Sequence, residues 1–149
     1  MSPPADARAD TPPPIRTVAA VIRDDRGRVL LVRKRGSAVF IQPGGKTEPG
    51  EAALETLARE LQEELGVSMR TEGAYRLGEF EADAVNEPGR RVRGEAWAVG
   101  IDGQPRPQAE IEELAWVVPA APFPVQVAPL SAGHVLPALG RALASGALA

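Results

Sequence analysis

Apolar positions along the chain follow two rhythms. Two short runs, Thr17–Arg23 (TVAAVIR) and Arg28–Lys34 (RVLLVRK), are rich in β-forming residues, which predicts strands. The four residues between them, Asp24-Asp25-Arg26-Gly27, include turn formers, so the pair reads as a β-hairpin. Ala38–Gln42, Ala74–Glu81, Val92–Ile101 and Leu114–Val118 are further strand candidates. The second rhythm is helical. From Glu51 to about Leu65 neither Pro nor Gly interrupts, and Leu54, Leu57, Leu61 and Leu65 fall within a stripe of ~100° on one face. Gly66 stands where a C-terminal cap belongs. Ser131–Ala144 is an Ala/Leu stretch predicted as a terminal helix, against the breaking tendency of Pro137 and Gly140. Residues 1–14 follow neither rhythm. They hold five prolines and almost nothing large and apolar, so a flexible, polyproline-like tail is expected, with a single domain over 15–149. Strands on both sides of a helix give a mixed α/β (α+β) class.

The polar face of the predicted helix changes the picture. Glu60, Glu63 and Glu64, at i, i+3 and i+4, place three carboxylates on neighbouring turns of one face. Their repulsion costs several tenths of a kcal/mol, and Arg59 cannot satisfy all three. Either the face is simply solvated, or a hard divalent cation with oxygen ligands neutralises it. Just upstream, Gly44 and Gly45 allow backbone to approach a ligand closely. That loop leads to the N-terminal end of the acidic helix, where phosphates are often bound.

Composition narrows the chemistry by exclusion. The 149 residues contain no cysteine and one histidine, His134, so thiolate, Cys-ligated and multi-histidine metal chemistry are excluded. Any metal must be held mainly by oxygen, which points to magnesium or manganese. A formal charge of −3 argues against broad nucleic-acid binding, and no stable nucleic-acid complex is expected. No apolar run approaches ~18 residues, so a soluble, cytoplasmic protein is expected, without membrane contact. Gly45-Lys46-Thr47 matches the end of a P-loop, but Phe40 stands where its first glycine belongs and Pro49-Gly50 interrupts the helix that should follow.

The segment Gly45–Val67, GKTEPGEAALETLARELQEELGV, resembles the Nudix box, G-x5-E-x7-R-E-U-x-E-E-x-G-U with U a bulky aliphatic residue. Every fixed position is met, by Gly45, Glu51, Arg59, Glu60, Leu61, Glu63, Glu64, Gly66 and Val67. The resemblance implies a Nudix-type α/β/α sandwich with a mixed β-sheet. It also implies Mg²⁺-dependent hydrolysis, with Mn²⁺ as a substitute, of a nucleoside diphosphate linked to another group X. Glu60, Glu63 and Glu64 then resemble the metal-binding carboxylates, with Glu60 also a candidate base for the attacking water. Glu51 resembles the outer acid, Arg59 the cation that orients the glutamates, and the Gly44 carbonyl a backbone ligand. Relatives often add a late acidic ligand; here Glu110, Glu112 and Glu113 are available and Glu110 is favoured.

Other positions carry two readings each. Arg33 and Lys34 either bind phosphate or are strand-end surface cations. Phe40 either stacks on a base or packs in the core. His134 is either a base or a surface group, and Arg90, Arg91 and Arg93 are either a solvated strand edge or steer an anion. Gln42, where many relatives have an aliphatic or aromatic residue, suggests polar readout of a base edge. The favoured substrate is a (d)NTP or damaged nucleotide. The alternatives are a nucleoside-diphosphate sugar such as ADP-ribose, or a non-catalytic nucleotide-binding module. The resemblance leaves a homodimer open.

Overall fold

The two continuous apolar runs become the centres of two sheets. In a computed structural model, which describes residues 12–149, β1 (Ile15–Val21) lies between β4 (Gly44–Lys46) and β6 (Arg91–Asp102), and β5 (Ser68–Asp83) completes the order β4-β1-β6-β5. A second sheet has β2 (Val29–Lys34) between β3 (Phe40–Ile41) and β7 (Ile111–Val117). The first sheet is mixed, because β1 runs parallel to β6 and antiparallel to β4. Helix α1 (Ala53–Leu65) packs on one side and α2 (Leu136–Ala144) on the other. Most of the tail expected over residues 1–14 lies outside the described residues. No described helix is long and apolar enough to cross a membrane.

Side-chain alternation explains the layering. Val18, Ala20 and Ile22 face α1 together with Leu30 and Val32, while Val21, Val29 and Leu31 face α2. A strand covered on both faces has no solvent side, which is why both runs are apolar throughout. Leu57, Leu61 and Leu65 of α1 are fully buried against the first set. At roughly 1.5–3 kcal/mol each, that burial outweighs the tenths of a kcal/mol of repulsion among the glutamates.

Local pattern and final structure differ in three places. The expected hairpin closes only at its tip: Arg23 bridges Val29, and Asp24 accepts from the backbone N–H of Arg26 and Arg28. Beyond it the strands diverge, because β1 finds both neighbours in distant segments. The glycine loop itself supplies a short strand, β4, whose Gly44 and Gly45 pair with Ala19 and Val18. At the C-terminus the predicted helix holds over Ser131–Ala144, but its first turn is a π-helical one (Ser131–Val135). Pro137 falls in the first turn of α2, where its missing N–H is tolerated.

Candidate active site

The start of α1 is tied down by charge. Ala52 at its N-cap has no side-chain acceptor, so the cap rests on one reciprocal bond, from Ala52 N–H to Glu55 (2.8 Å). Arg59, two turns in, reaches back with Nε and Nη2 to both oxygens of Glu51, each at 2.8 Å. The same carboxylate accepts from the Thr56 hydroxyl (2.8 Å) and the Glu48 N–H (3.1 Å). The guanidinium hydrogen bonds, helped by these two donors, hold the Glu51 carboxyl down at about 2. Arg59 also donates to the Lys46 carbonyl (3.2 Å) and to Glu60 Oε2 (3.3 Å), linking β4, Glu51 and Glu60 through one planar cation.

Glu60 and Glu64 are in a different setting. Glu64 is 4% exposed, and its carboxylate accepts from the Gly44 N–H at 3.3 Å. Burial pushes its pKa up to about 8 despite that bond, and the neighbouring Glu60 charge adds to the effect. Glu60 is raised as well, chiefly by burial, with the Arg59 charge opposing. Gly44 is required by space, because a Cβ there would collide with the Val18 carbonyl. A Cβ on Gly45 would instead overlap the Glu60 carboxylate and push it aside.

These groups line a cleft of about 540 Å³, large enough for a small ligand. Lys34 at the end of β2 meets Glu110 across it at 3.2 Å, and Lys46 meets Glu87 at 3.6 Å. Glu110 is positioned by the segment that covers the C-terminal end of α1. Arg106 N–H donates to Leu65 O (3.0 Å) and Gln108 N–H to Glu64 O (2.9 Å), and Ala109 then turns at a left-handed φ of 53°. The opposite wall is apolar, with Ile15, Val92 and Leu130 among its residues.

The structure thus brings Glu60, Glu64, Gly44, Gly45, Lys34, Gln42 and Glu110 to one cleft. Glu51 and Arg59 stand behind Glu60 rather than in the cleft, and Glu63 is more than half exposed, 3.9 Å from Arg59. Arg33 points the other way from Lys34, as alternation requires, and pairs with Glu113 (3.1 Å) beside a separate shallow cavity. Phe40 is buried in the core on the α2 side, so its side chain is not available for stacking on a base. Glu112 lies 3.7 Å from Arg35. His134 is exposed and stacks on Phe80, outside the cleft lining. Arg91 pairs with Glu81 and Asp83, and Arg93 with Glu79. Thr17, Asp83, Asn86, Glu87 and Ser131 also line the cleft, and the sequence reading missed them. They come from strands, a turn and a helix start with no shared motif; the polar residues Asp83, Asn86 and Glu87 around the turn after β5 were the available signal.

Among the described residues, no three acidic or histidine side chains already converge closely enough to hold an ion as they stand. The donor set nevertheless fits a hard cation. Five carboxylates line the cleft (Glu60, Glu64, Asp83, Glu87 and Glu110) against two ammonium groups, Lys34 and Lys46. Their oxygens are the ligand type such a cation takes, and a polyphosphate would be repelled unless positive charge accompanied it.

A model of the NUDIX domain family matches residues 13–139. The CTP pyrophosphohydrolase of Escherichia coli is 32% identical over 120 residues, covering 77% of this chain and 84% of that protein. An octanoyltransferase of Myxococcus xanthus is 39% identical over 126 residues, but the chain spans only 34% of that longer protein. Among solved structures, the E. coli ORF135 protein superposes with a TM-score of 0.71 at 29% identity, covering 88% of this chain and 91% of that one.

Proposed function

The chain belongs to the Nudix hydrolase family, and from that premise we propose that it is a Mg²⁺-dependent pyrophosphohydrolase whose substrate is a nucleoside triphosphate. The observation that carries this reading is the pair Glu60–Glu64, two shielded carboxyl groups that share one ion pair, from Arg59 to Glu60 at 3.3 Å, on the wall of an acidic, nucleotide-sized cleft. The CTP pyrophosphohydrolase relative, matched over most of its length, supports the same substrate class.

Glu60 and Glu64, with Glu110 in the same cleft and the exposed Glu63 beside them on α1, are the residues that would hold Mg²⁺. The bound cation supplies charge neutralisation on the phosphate chain and makes water easier to deprotonate. Arg59 fixes the orientation of Glu60, which accepts the proton of the attacking water. Lys34, released from Glu110 when an anion binds, contacts the phosphates. Water adds across one P–O–P bond, giving a nucleoside monophosphate and pyrophosphate. The Gly44–Gly45 backbone keeps Glu60 and Glu64 close to the reacting chain without occupying space itself.

A panel of ribo- and deoxyribonucleoside triphosphates, 8-oxo-dGTP and ADP-ribose, assayed with Mg²⁺ and with products assigned by phosphorus NMR, tests the proposal. Release of pyrophosphate from a triphosphate is expected. Preferential cleavage of ADP-ribose would replace the substrate class, and tight nucleotide binding without turnover would reduce the protein to a binding module.

A further inference from the structure

Gln42 lies between β3 and β4, where the chain passes from one sheet to the other, and its side chain adds a hydrogen bond to β1. Ala20 N–H donates to Pro43 O (2.8 Å), while Ala20 O accepts from Gln42 Nε2 (2.9 Å). One of the two N–H groups of the amide nitrogen is therefore committed to the scaffold, which fixes the orientation of the amide. Flipping the amide would set its oxygen against the Ala20 carbonyl, so the orientation follows from the acceptor it faces. Gln42 is only 6% exposed, yet its Oε1 has no hydrogen-bond partner among the described residues. A buried amide oxygen without a donor carries an uncompensated desolvation penalty, and such groups call for a reason. Gln42 also lines the cleft, alongside the apolar surfaces of Ile41, Ala128 and Leu130 that suit a flat ring.

We infer that Gln42 is a specificity-determining residue whose Oε1 accepts a hydrogen bond from an amino group on the substrate's base, selecting amino-bearing rings over their oxo counterparts. The inference rests on the pyrophosphohydrolase reading above. Because Nε2 is held by Ala20, the amide cannot reverse to put a donor where Oε1 stands. An oxo oxygen in the place of the amino group would face Oε1 lone pair to lone pair, losing the bond and adding repulsion. A site built around a fixed polar group rejects the mismatched analogue far more strongly than an apolar pocket does.

The test compares kcat/KM within two pairs that differ by this exchange, CTP with UTP and ATP with ITP, for the native chain and for Gln42→Met. Methionine keeps the length and removes both donor and acceptor. The native chain should favour the amino member of at least one pair by about tenfold or more. In a folded Gln42→Met that ratio should collapse to within about threefold, a selectivity change that a purely structural role for Gln42 would not produce. The native ratios alone decide the matter if the variant fails to fold. Turnover without an amino preference, or a preference that survives in Gln42→Met, overturns the inference and leaves the pyrophosphohydrolase reading standing. Absence of turnover on every nucleotide overturns both.

Discussion

Glu51 and Glu64 bracket the same helix, and both are largely shielded from solvent, yet the protein treats their charges in opposite ways. Around Glu51 four donors converge: Arg59 grips both oxygens, and Thr56 and the Glu48 backbone add two more at Oε1. Around Glu64 a single long bond from Gly44 is set against burial and the charge of Glu60. The first carboxyl is pushed down to about 2 and the second up to about 8. A carboxylate whose needs are met inside the protein does structural work. One left short of positive charge beside a cleft is arranged for something that arrives from outside.

That contrast can be broken most decisively by removing the cation. Chelation with EDTA should abolish nucleotide hydrolysis, and added Mg²⁺ should restore it; activity that survives chelation would show that Glu60 and Glu64 need no ion. Next in size, Glu64→Gln should lower Mg²⁺-dependent kcat by orders of magnitude while circular dichroism shows an intact fold. Smaller effects belong to the satisfied side. Arg59→Lys replaces a two-pronged fork by a point charge, and Glu51→Gln weakens the same grip. Each should cost about 10–100-fold in turnover through misplacement of Glu60, and a loss as large as that of Glu64→Gln would erase the distinction between the two regions.

The smallest expected effect is on stability, and it has the opposite sign. The raised pKa of Glu64 means that the metal-free fold retains a proton which the unfolded chain releases. Stability from this group is therefore full below about 4.5 and is lost as pH rises toward about 8. Glu64→Gln removes that slope, so in EDTA at pH 7 the variant should be more stable than the native chain by roughly 1–3 kcal/mol in urea denaturation, with the gain gone at pH 4. A destabilised Glu64→Gln would mean that its charge is met within the fold after all.

The acidic helix was legible because two independent periodicities coincide on it: leucines every three or four residues on one face, and box glutamates on the next. The central strands were legible because burial on both faces leaves unbroken apolar runs. What local pattern could not reveal was partnership. The Asp24–Gly27 turn reads as a hairpin, but β1 takes its neighbours from the glycine loop at Gly44–Lys46 and from β6, which begins at Arg91. The same limit applies to the site. Arg33 and Lys34 are adjacent in sequence and point to opposite sides, and Phe40 and Gln42 lie two residues apart, with one in the core and the other on the cleft. The far wall, from Asp83 to Ser131, carries no motif because shape and proximity, rather than a fixed ligand pattern, bring its residues to the cleft.

The parallel pairing of β1 with β6 also bears on how the chain becomes active. Ile15 at the start of the domain is matched to Val92, and the hydrogen bonds between these strands form only after everything from β2 to β5 lies between them as a closed loop. The glutamate helix leaves the ribosome well before β6 and Glu110. During synthesis it therefore exists for a time without the far half of its cleft, and a fragment ending before Arg91 would carry the whole Nudix box and only part of the cleft lining.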